Sequence, residues 1–465
     1  MTRVNGLAVF APVWAMAMLF SIAGDHQALL WRQGPLAGSL AWLAIVAAFA
    51  ALAGRRVVPW LMLLSLVMLL RYAVALPVAS NNKTIGVFMN AAILAFVWPC
   101  LRQAADDACC AQAHDRLRVL ARALLAVMYF YGIFHKINTD FLDPSVSCAV
   151  ALYRPLAAPL GLDGNVFGHH LSIWLTFIVE GIALVALYWP RWFAIGLVLG
   201  LTFHFVIPIS AYSWYMDFSS LVLALYMLSM PREVSTRCHA VLTRAAGLLK
   251  AHAWHLAGFF AVLLGLGVVM VRSGAASLGS ALHLHHSVMI LLWALYGGFM
   301  MVVLTRIALD HLPWTGQRAP RQPLRVYALP ALLFLTCLSP YLGLKTESSI
   351  AMFSNLHTEG GVTNHLLFTR PPYLFDYQQD VVELVDSSNP ALAWAAGRGY
   401  SEVLFSVKER LRWHPEQWVT YRQGGTLHER VTAAHFPPES FANRLERKLL
   451  IFKPVDFSRP KPCTH

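Results

Sequence analysis

Charged residues are scarce in this sequence: Asp, Glu, Lys and Arg make up only 13% of its 465 residues, against 57% that are hydrophobic. Soluble domains carry about 25% charged residues, which cover their surface toward water. A chain this poor in charge cannot bury so much apolar surface in one soluble core, so its composition excludes a purely soluble protein. Its apolar stretches also lack the alternation that membrane-spanning β-strands need. We therefore predict membrane-spanning helices.

Cysteine is also rare, and its spacing excludes the common metal sites. The seven cysteines show none of the paired spacings typical of metal ligands, so we predict no metal cofactor. The adjacent Cys109 and Cys110 are interpreted as structural or incidental. The net charge of +12 does not indicate nucleic-acid binding, because the basic residues are scattered through short connections between apolar runs. That distribution is typical of topology signals and of contact with anionic membrane lipids.

Long apolar runs are the main feature that is present. A helix rises about 1.5 Å per residue and needs roughly 20 apolar residues to cross the hydrocarbon core. The predicted fold is an all-α polytopic membrane helix bundle with a small α+β soluble C-terminal domain. An alternative for residues 1–23 is a cleaved signal peptide, which would leave the remaining topology unchanged. The bundle has about eleven transmembrane helices, at residues 6–24, 36–53, 57–78, 84–101, 117–136, 171–189, 192–211, 214–230, 253–271, 287–308 and 327–344.

Basic residues are distributed unevenly between alternate loops, which predicts the orientation. With the N-terminus in the cytoplasm, the inside loops collect most of them, including Arg55, Arg56 and Arg116, whereas outside loops hold few, such as Arg32. An odd number of spans then places the C-terminal region outside. We therefore predict a transmembrane domain at 1–345 and an extracytoplasmic α+β domain at 346–465.

The C-terminal region differs in character from the apolar runs. It is polar, and a Gly-Gly pair separates two segments that carry β-branched and aromatic residues, which is typical of a hairpin. We predict a strand at 381–385, a hairpin of 418–422 and 426–430 around Gly424-Gly425, and an amphipathic helix at 439–450.

Ionisable residues inside the predicted spans are few. A charge in hydrocarbon costs several kcal/mol, so such residues are candidates for function or for structural pairing. Arg71 is interpreted as a snorkelling side chain or as a partner for Glu180, and these two form our predicted buried ionic residues. His204 is a core histidine or a site residue, and Asp217 has a capping or a site role. The set is Arg71, His135, Lys136, Glu180, His204 and Asp217.

Lys136 ends an aromatic-rich span that includes Tyr129, Phe130 and Tyr131. A half-buried lysine loses hydration of its ammonium form, so a neutral amine becomes available as a base. The alternative is a lysine that snorkels to the outer interface.

Three blocks of residues resemble the vitamin K-dependent gamma-glutamyl carboxylases and their bacterial relatives, the HTTM (horizontally transferred transmembrane) proteins. The first runs from Tyr129 to Phe141 and includes Lys136-Ile137-Asn138-Thr139-Asp140. The second is Phe203-His204, followed by Met216-Asp217-Phe218-Ser219. The third is Asn81-Asn82-Lys83, and Tyr341 to Gly360 is similar to a segment of many bacterial members.

The resemblance implies chemistry as well as fold. In the carboxylases the matching lysine deprotonates vitamin K hydroquinone, which makes Lys136 the implied base and a reduced quinone the implied cofactor. His204 would orient or donate to the quinone oxygens, with Asp217 in the same block. Asn81 and Asn82 would bind substrate, and Tyr129 and Tyr131 would line the ring pocket. Lys83 stands where the carboxylases have an assisting histidine, which puts glutamate carboxylation in doubt.

Two classes of function follow. One is an enzyme in the bacterial inner membrane that uses Lys136 to oxidise a quinol and to modify a lipid or peptide. The other is a non-catalytic membrane module that binds lipid, quinone or a partner protein. A transporter is the remaining alternative, but the sequence shows no inverted repeats that would favour it.

Overall fold

The computed structural model of the chain describes residues 6–53, 56–77, 80–102, 107–189, 191–209, 214–230, 278–310, 321–438 and 440–463, with isolated residues between 231 and 277. It is mostly helical, with 67% of residues in helices, and carries a small antiparallel sheet near the C-terminus. The chain divides into two compact units. The first comprises Met1–Ala75, Asn82–Tyr129 and Ile178–Ala331, and the second Leu76–Asn81, Phe130–Phe177 and Leu332–His465. The predicted boundary at residue 345 stays a prediction.

Helices dominate both units. Short 3₁₀ turns lie at Ala158–Leu160, Leu324–Tyr327, Glu359–Gly361 and Ala433–His435. The α-helices in the described ranges are α1 (Gly6–Ala23), α2 (His26–Leu29), α3 (Pro35–Ala53), α4 (Val57–Ala75), α5 (Asn81–Arg102), α6 (Asp107–Phe134), α7 (Thr139–Leu142), α8 (Cys148–Ala157), α9 (Val166–Ala186), α10 (Phe193–Ile209), α11 (Met216–Ser229), α12 (Leu278–Leu309), α13 (Ala328–Cys337), α14 (Ser339–Leu342), α15 (Pro390–Ala396), α16 (Leu404–Trp413) and α17 (Phe441–Leu449).

Among the described helices, seven are long and apolar enough to cross a membrane: α1, α3, α4, α5, α6, α9 and α12. Three further predicted spans correspond to the shorter helices α10, α11 and α13. The predicted span at 253–271 lies outside the described residues, so the total of eleven stays a prediction. Helix α6 begins ten residues before the predicted span at 117, because its first turns combine alanines, which favour helix, with polar residues that do not favour hydrocarbon.

The first unit packs around α1, which contacts α3, α4 and α11. The apolar residues of α1 surround the whole helix, as expected for one that other helices enclose. Helix α3 presents a face of small residues, which allows close approach between helix backbones. Its buried alanines are Ala37, Ala41, Ala44, Ala47, Ala48 and Ala51.

The second unit holds a four-stranded antiparallel sheet, with strands β1 (Val381–Ser387), β2 (Ser401–Val403), β3 (Val419–Gln423) and β4 (Thr426–Val431). The strand order is β2-β1-β3-β4. Gly424 and Gly425 both have positive φ, which closes β3 and β4 into a two-residue hairpin. Val382 and Leu384 of β1 lie in the core with Leu411 of α16. The predicted strand, hairpin and C-terminal helix are confirmed.

A disulfide joins Cys148, the first residue of α8, to Cys463. The bond lies within the second unit and links positions 315 residues apart. It was not predicted from the sequence, where neither cysteine has a neighbour that suggests pairing.

Candidate functional site

The predicted site residues fall in both units. Asn81, Tyr131 and Lys136 belong to the second unit, and the predicted convergence of Lys136 with His204 on one pocket stays a prediction. The first unit contains Arg71, Asn82, Tyr129, Glu180, His204 and Asp217.

A buried ion pair forms the centre of a polar cleft in the first unit. Arg71 of α4 donates through Nη2 to Oδ2 of Asp25 at 2.9 Å, and Nζ of Lys83 lies 3.9 Å from the same oxygen. The Asp25 side chain also caps α2 by accepting from the backbone N–H of Ala28. Arg71 and Glu180 are both buried, as predicted. The carboxylate that pairs with Arg71 is Asp25, however, so the interpretation of an Arg71–Glu180 pair was wrong.

A second buried pair lines the same cleft. Asn82 donates through Nδ2 to Oδ2 of Asp217 at 2.6 Å, and Oδ1 of Asp217 accepts from the backbone N–H of Phe218 at 2.7 Å. Asp217 lies in the first turn of α11, where the helix dipole favours a negative charge. Asn82 and Asp217, which two separate sequence blocks suggested, are thus in contact with each other.

The cleft is narrow. Its volume is about 40 Å³, and one water needs roughly 10–15 Å³ of such space. The cleft therefore has room for a few waters or a small polar group, whereas a quinone ring would require its side chains to move. The lining residues include Met18, Ser21, Asp25, Met68, Arg71, Tyr72, Asn82, Lys83, Asn90 and Asp217.

A chain of aromatic hydroxyls surrounds His204 in the first unit. Tyr226 donates to the Tyr129 hydroxyl at 2.9 Å, and Nε2 of His204 lies 3.2 Å from that hydroxyl. All three side chains are buried, and Glu180 is within electrostatic range of Tyr129. His204 therefore has a polar environment that can relay a proton between hydroxyls. Tyr226 was not singled out from the sequence, where it is one aromatic residue in an apolar helix.

Lys136 is buried in the second unit, directly after the end of α6. Only 6% of its surface is exposed, and its Nζ lies 5.9 Å from the centroid of the Phe141 ring. An ammonium at that distance gains a cation–π attraction. Lys136 is thus more deeply buried than the half-buried position predicted from the sequence, and its role as a base stays a prediction.

Two hydrogen bonds hold the imidazole of His135, the residue before Lys136, in one tautomer. Nε2 of His135 lies 3.0 Å from the carbonyl oxygen of Ser349, and Nδ1 lies 2.8 Å from the Tyr341 hydroxyl. A carbonyl can only accept, so Nε2 must carry the proton toward Ser349. In the neutral imidazole Nδ1 then accepts from Tyr341. These two bonds hold the backbone that carries Lys136 in one orientation.

Asn138 and Asn81 complete this arrangement. Asn138 donates to the carbonyl oxygens of His135 at 2.7 Å and of Ser354 at 2.6 Å, and it accepts from the backbone N–H of Phe141. Asn81 accepts from the backbone N–H of Ile350 at 2.6 Å. Two adjacent residues thus contact two of the predicted site regions. Ser349 bonds to His135, next to Lys136, and Ile350 bonds to Asn81.

That segment, residues 341–356, has a strained backbone. Ser348, Ile350, Phe353 and Asn355 all adopt positive φ, between 53° and 60°. The left-handed conformation costs non-glycine residues roughly 1–2 kcal/mol each, and a β-branched residue such as Ile350 is a genuine outlier there. Strain of this kind persists where the surrounding contacts impose it, and it is concentrated at functional sites. The strain marks this segment as part of a candidate site around Lys136.

A buried ion pair extends the same region. Glu359 is completely buried, with Oε2 4.0 Å from Nζ of Lys461 and 3.1 Å from the backbone N–H of Thr358. Burial acts to raise the pKa of Glu359, but Lys461, His357 and the hydrogen bonds outweigh it, so the pKa lies below its usual value. Glu359 therefore stays ionised inside the protein.

Comparison of the chain with protein-family models, with curated proteins and with solved structures gives no match in any of the three. The resemblance to the carboxylases therefore rests on the residue blocks quoted from the sequence.

Proposed function

We propose that this chain is a membrane-embedded protein of the HTTM type in which Lys136 acts as a base toward a weakly acidic hydroxyl, such as that of a reduced quinone. The observation that carries the proposal is the burial of Lys136 beside Phe141, on a segment held by His135 and Asn138. Lysine suits this role because it can lose its proton, whereas arginine stays charged.

An aromatic cluster lies at the end of α6 in the second unit, just before Lys136 in the chain. Phe130 and Phe134 are stacked with centroids 5.7 Å apart, and Phe334 lies 5.8 Å from Phe130. Phe130 and Phe334 are each 40% exposed on helices that can meet lipid. Among the described residues, the hydroxyl of Tyr131 is buried and finds no hydrogen-bond partner. Such a hydroxyl needs a partner, which a ring oxygen would provide.

In this proposal the side chains near the end of α6 have distinct roles around such a ring. Tyr131 would donate to a ring oxygen, Phe130 and Phe334 would contact the ring face, and Lys136 would accept the hydroxyl proton. A reduced quinone, when bound, would give that proton to Lys136 and would give two electrons to an external oxidant such as molecular oxygen. His135 and Asn138 would hold Lys136 in position, since His135 bonds to the Ser349 carbonyl and the Tyr341 hydroxyl and Asn138 bonds to backbone atoms. The strained segment would exclude water from the lysine.

The test compares lysine variants of the full-length protein. Lys136→Arg keeps the charge and Lys136→Ala removes it, and we expect both to abolish quinol oxidation while membrane insertion is retained. Lys453→Arg is the matched control, because Lys453 is equally buried in the same unit and lies 3.5 Å from the Glu347 carboxylate. Full activity of Lys136→Arg would contradict the proposal. Mass spectrometry of the purified protein for co-extracted quinone tests the cofactor separately.

A non-catalytic binding module is the second candidate. It is favoured by the cleft in the first unit, where Asp25 is paired with Arg71 and Asn82 with Asp217, as in a structural network. One experiment distinguishes the enzyme from the binding module. A cellular phenotype that survives Lys136→Ala but is lost when the cleft is altered would support the binding module.

We also propose that the second unit's soluble part lies outside the cytoplasm, in keeping with the distribution of basic residues. The Cys148–Cys463 disulfide supports this orientation, because disulfides persist in oxidising compartments such as the bacterial periplasm. Alkaline phosphatase fused after Thr346 should therefore be active. An active cytoplasm-specific reporter at that position would reverse the orientation.

A further inference from the structure

Helix α17 has its apolar residues on the outside. Phe441, Leu445 and Leu449 are spaced four residues apart and therefore lie along one face. They are 84%, 56% and 51% exposed, respectively. The helix is well formed, because it begins with a capping box. The Ser440 side chain accepts from the backbone N–H of Asn443, and the Asn443 side chain accepts from the backbone N–H of Ser440. The exposed stripe is thus a property of an ordered helix.

The opposite face of α17 is polar and packs on the protein. Glu446 accepts from the Tyr377 hydroxyl at 2.8 Å, and Nε of Arg447 lies 3.7 Å from the Glu409 carboxylate. The guanidinium of Arg447 also lies over the Trp413 ring, 5.1 Å from its centroid. A helix on the surface of a soluble domain has the reverse arrangement, with its apolar face inward. The apolar face of α17 therefore requires an apolar environment outside the protein.

The position of α17 identifies that environment. Nζ of Lys448 donates to the carbonyl oxygen of Leu76 at 3.0 Å. Leu76 directly follows Ala75, the last residue of the candidate membrane span α4. The helix thus lies at the level where the chain leaves the hydrocarbon core. Arg444 and Lys448 border the apolar stripe, and basic residues in this position attract anionic lipid headgroups.

We infer that α17 is an interfacial helix that binds the bilayer surface, with Phe441, Leu445 and Leu449 inserted among the lipid chains and Arg444 and Lys448 at the headgroups. The helix anchors the soluble part of the second unit to the membrane. This function is independent of any chemistry at Lys136, since it depends only on the apolar face and on the neighbouring end of a span.

The test places a spin label on the stripe in the full-length protein. The cysteines outside the disulfide are replaced by alanine, and a nitroxide is attached through Leu445→Cys. The matched control is Leu427→Cys, an exposed leucine on β4 of the same unit. Both proteins are reconstituted in vesicles of phosphatidylcholine and phosphatidylglycerol. The cysteines replaced are Cys100, Cys109, Cys110, Cys238 and Cys337.

Collision with oxygen, which concentrates in lipid, is compared with collision with a water-soluble nickel chelate. We expect the ratio of oxygen to nickel accessibility to be severalfold higher at position 445 than at position 427. Equal ratios at the two positions would mean that the stripe faces water and would overturn the inference. Exclusion of both reagents at position 445 would mean that protein covers the stripe, and this outcome would also overturn it.

Discussion

The two units satisfy their buried polar groups in different ways. In the cleft of the first unit the contacts between different helices join one side chain to another, as in Arg71 with Asp25 and Asn82 with Asp217. In the second unit the polar side chains next to Lys136 bond mainly to the backbone, as in Asn138 with the Ser354 carbonyl and His135 with the Ser349 carbonyl. Membrane helices satisfy most of their own backbone groups, which leaves their buried polar side chains to pair mainly with each other. An irregular segment leaves backbone N–H and C=O groups without helical or strand partners, and side chains must form hydrogen bonds with these groups.

From this difference we expect the largest loss of stability when Asn138 is replaced. Asn138→Ala leaves two buried carbonyls and one N–H without partners, and each unsatisfied group costs about 1–3 kcal/mol. We expect the free energy of unfolding to fall by about 3 kcal/mol or more. Thermal unfolding of the purified protein in detergent measures the change.

The control is Asn389→Ala, which removes a helix cap at α15 but leaves fewer buried groups open. Loss of such a cap costs about 1 kcal/mol. Equal losses for the two variants would show that the backbone bonds of Asn138 contribute little.

A smaller effect is expected at the Arg71–Asp25 pair. Arg71→Met leaves Asp25 with Lys83 at 3.9 Å, so the loss should be nearer 2 kcal/mol than the roughly 3–5 kcal/mol of a fully broken buried pair. Because the contact is between side chains, the loss in the double variant with Asp25→Asn should be less than the sum of the single losses. Additive losses in thermal stability would contradict coupling.

The smallest effect is expected from pH, at the ion pair of the second unit. The pKa of Glu359 is lower in the folded protein than in the unfolded chain, where it is near 4.5. Its stabilising contribution is therefore complete above pH 4.5 and is lost as the pH falls through the folded value. The unfolding temperature of the Glu359→Gln variant should depend less on pH in this acid range than that of the parent. An identical pH profile in both proteins would exclude Glu359 as the source.

The sequence predicts the elements whose signals are local. Helix α1 ends within one residue of the predicted span, and Gly424-Gly425 specifies the hairpin through positive φ alone. Helices α11 and α13 are shorter than the predicted spans, because hydropathy continues past the residues where the helix ends. Local patterns thus predict the existence of an element better than its limits.

The candidate site was harder to predict, because its contacts join distant positions. Asp25 lies just beyond a span, and no local pattern shows that it meets Arg71, 46 residues away. Topology does offer a signal, since α1 and α4 both end on the side where α5 begins. The contact of Asn138 with Ser354 spans 216 residues and involves backbone strain that composition does not encode.

The Cys148–Cys463 bond has a consequence for biosynthesis. The ribosome adds 315 further residues after Cys148 before its partner exists. Every apolar stretch between the two must have left the ribosome, and been placed in the bilayer, before the thiols can meet. Formation of this crosslink thus reports that insertion of the intervening chain is complete, and a translocation defect in between would leave Cys148 reduced.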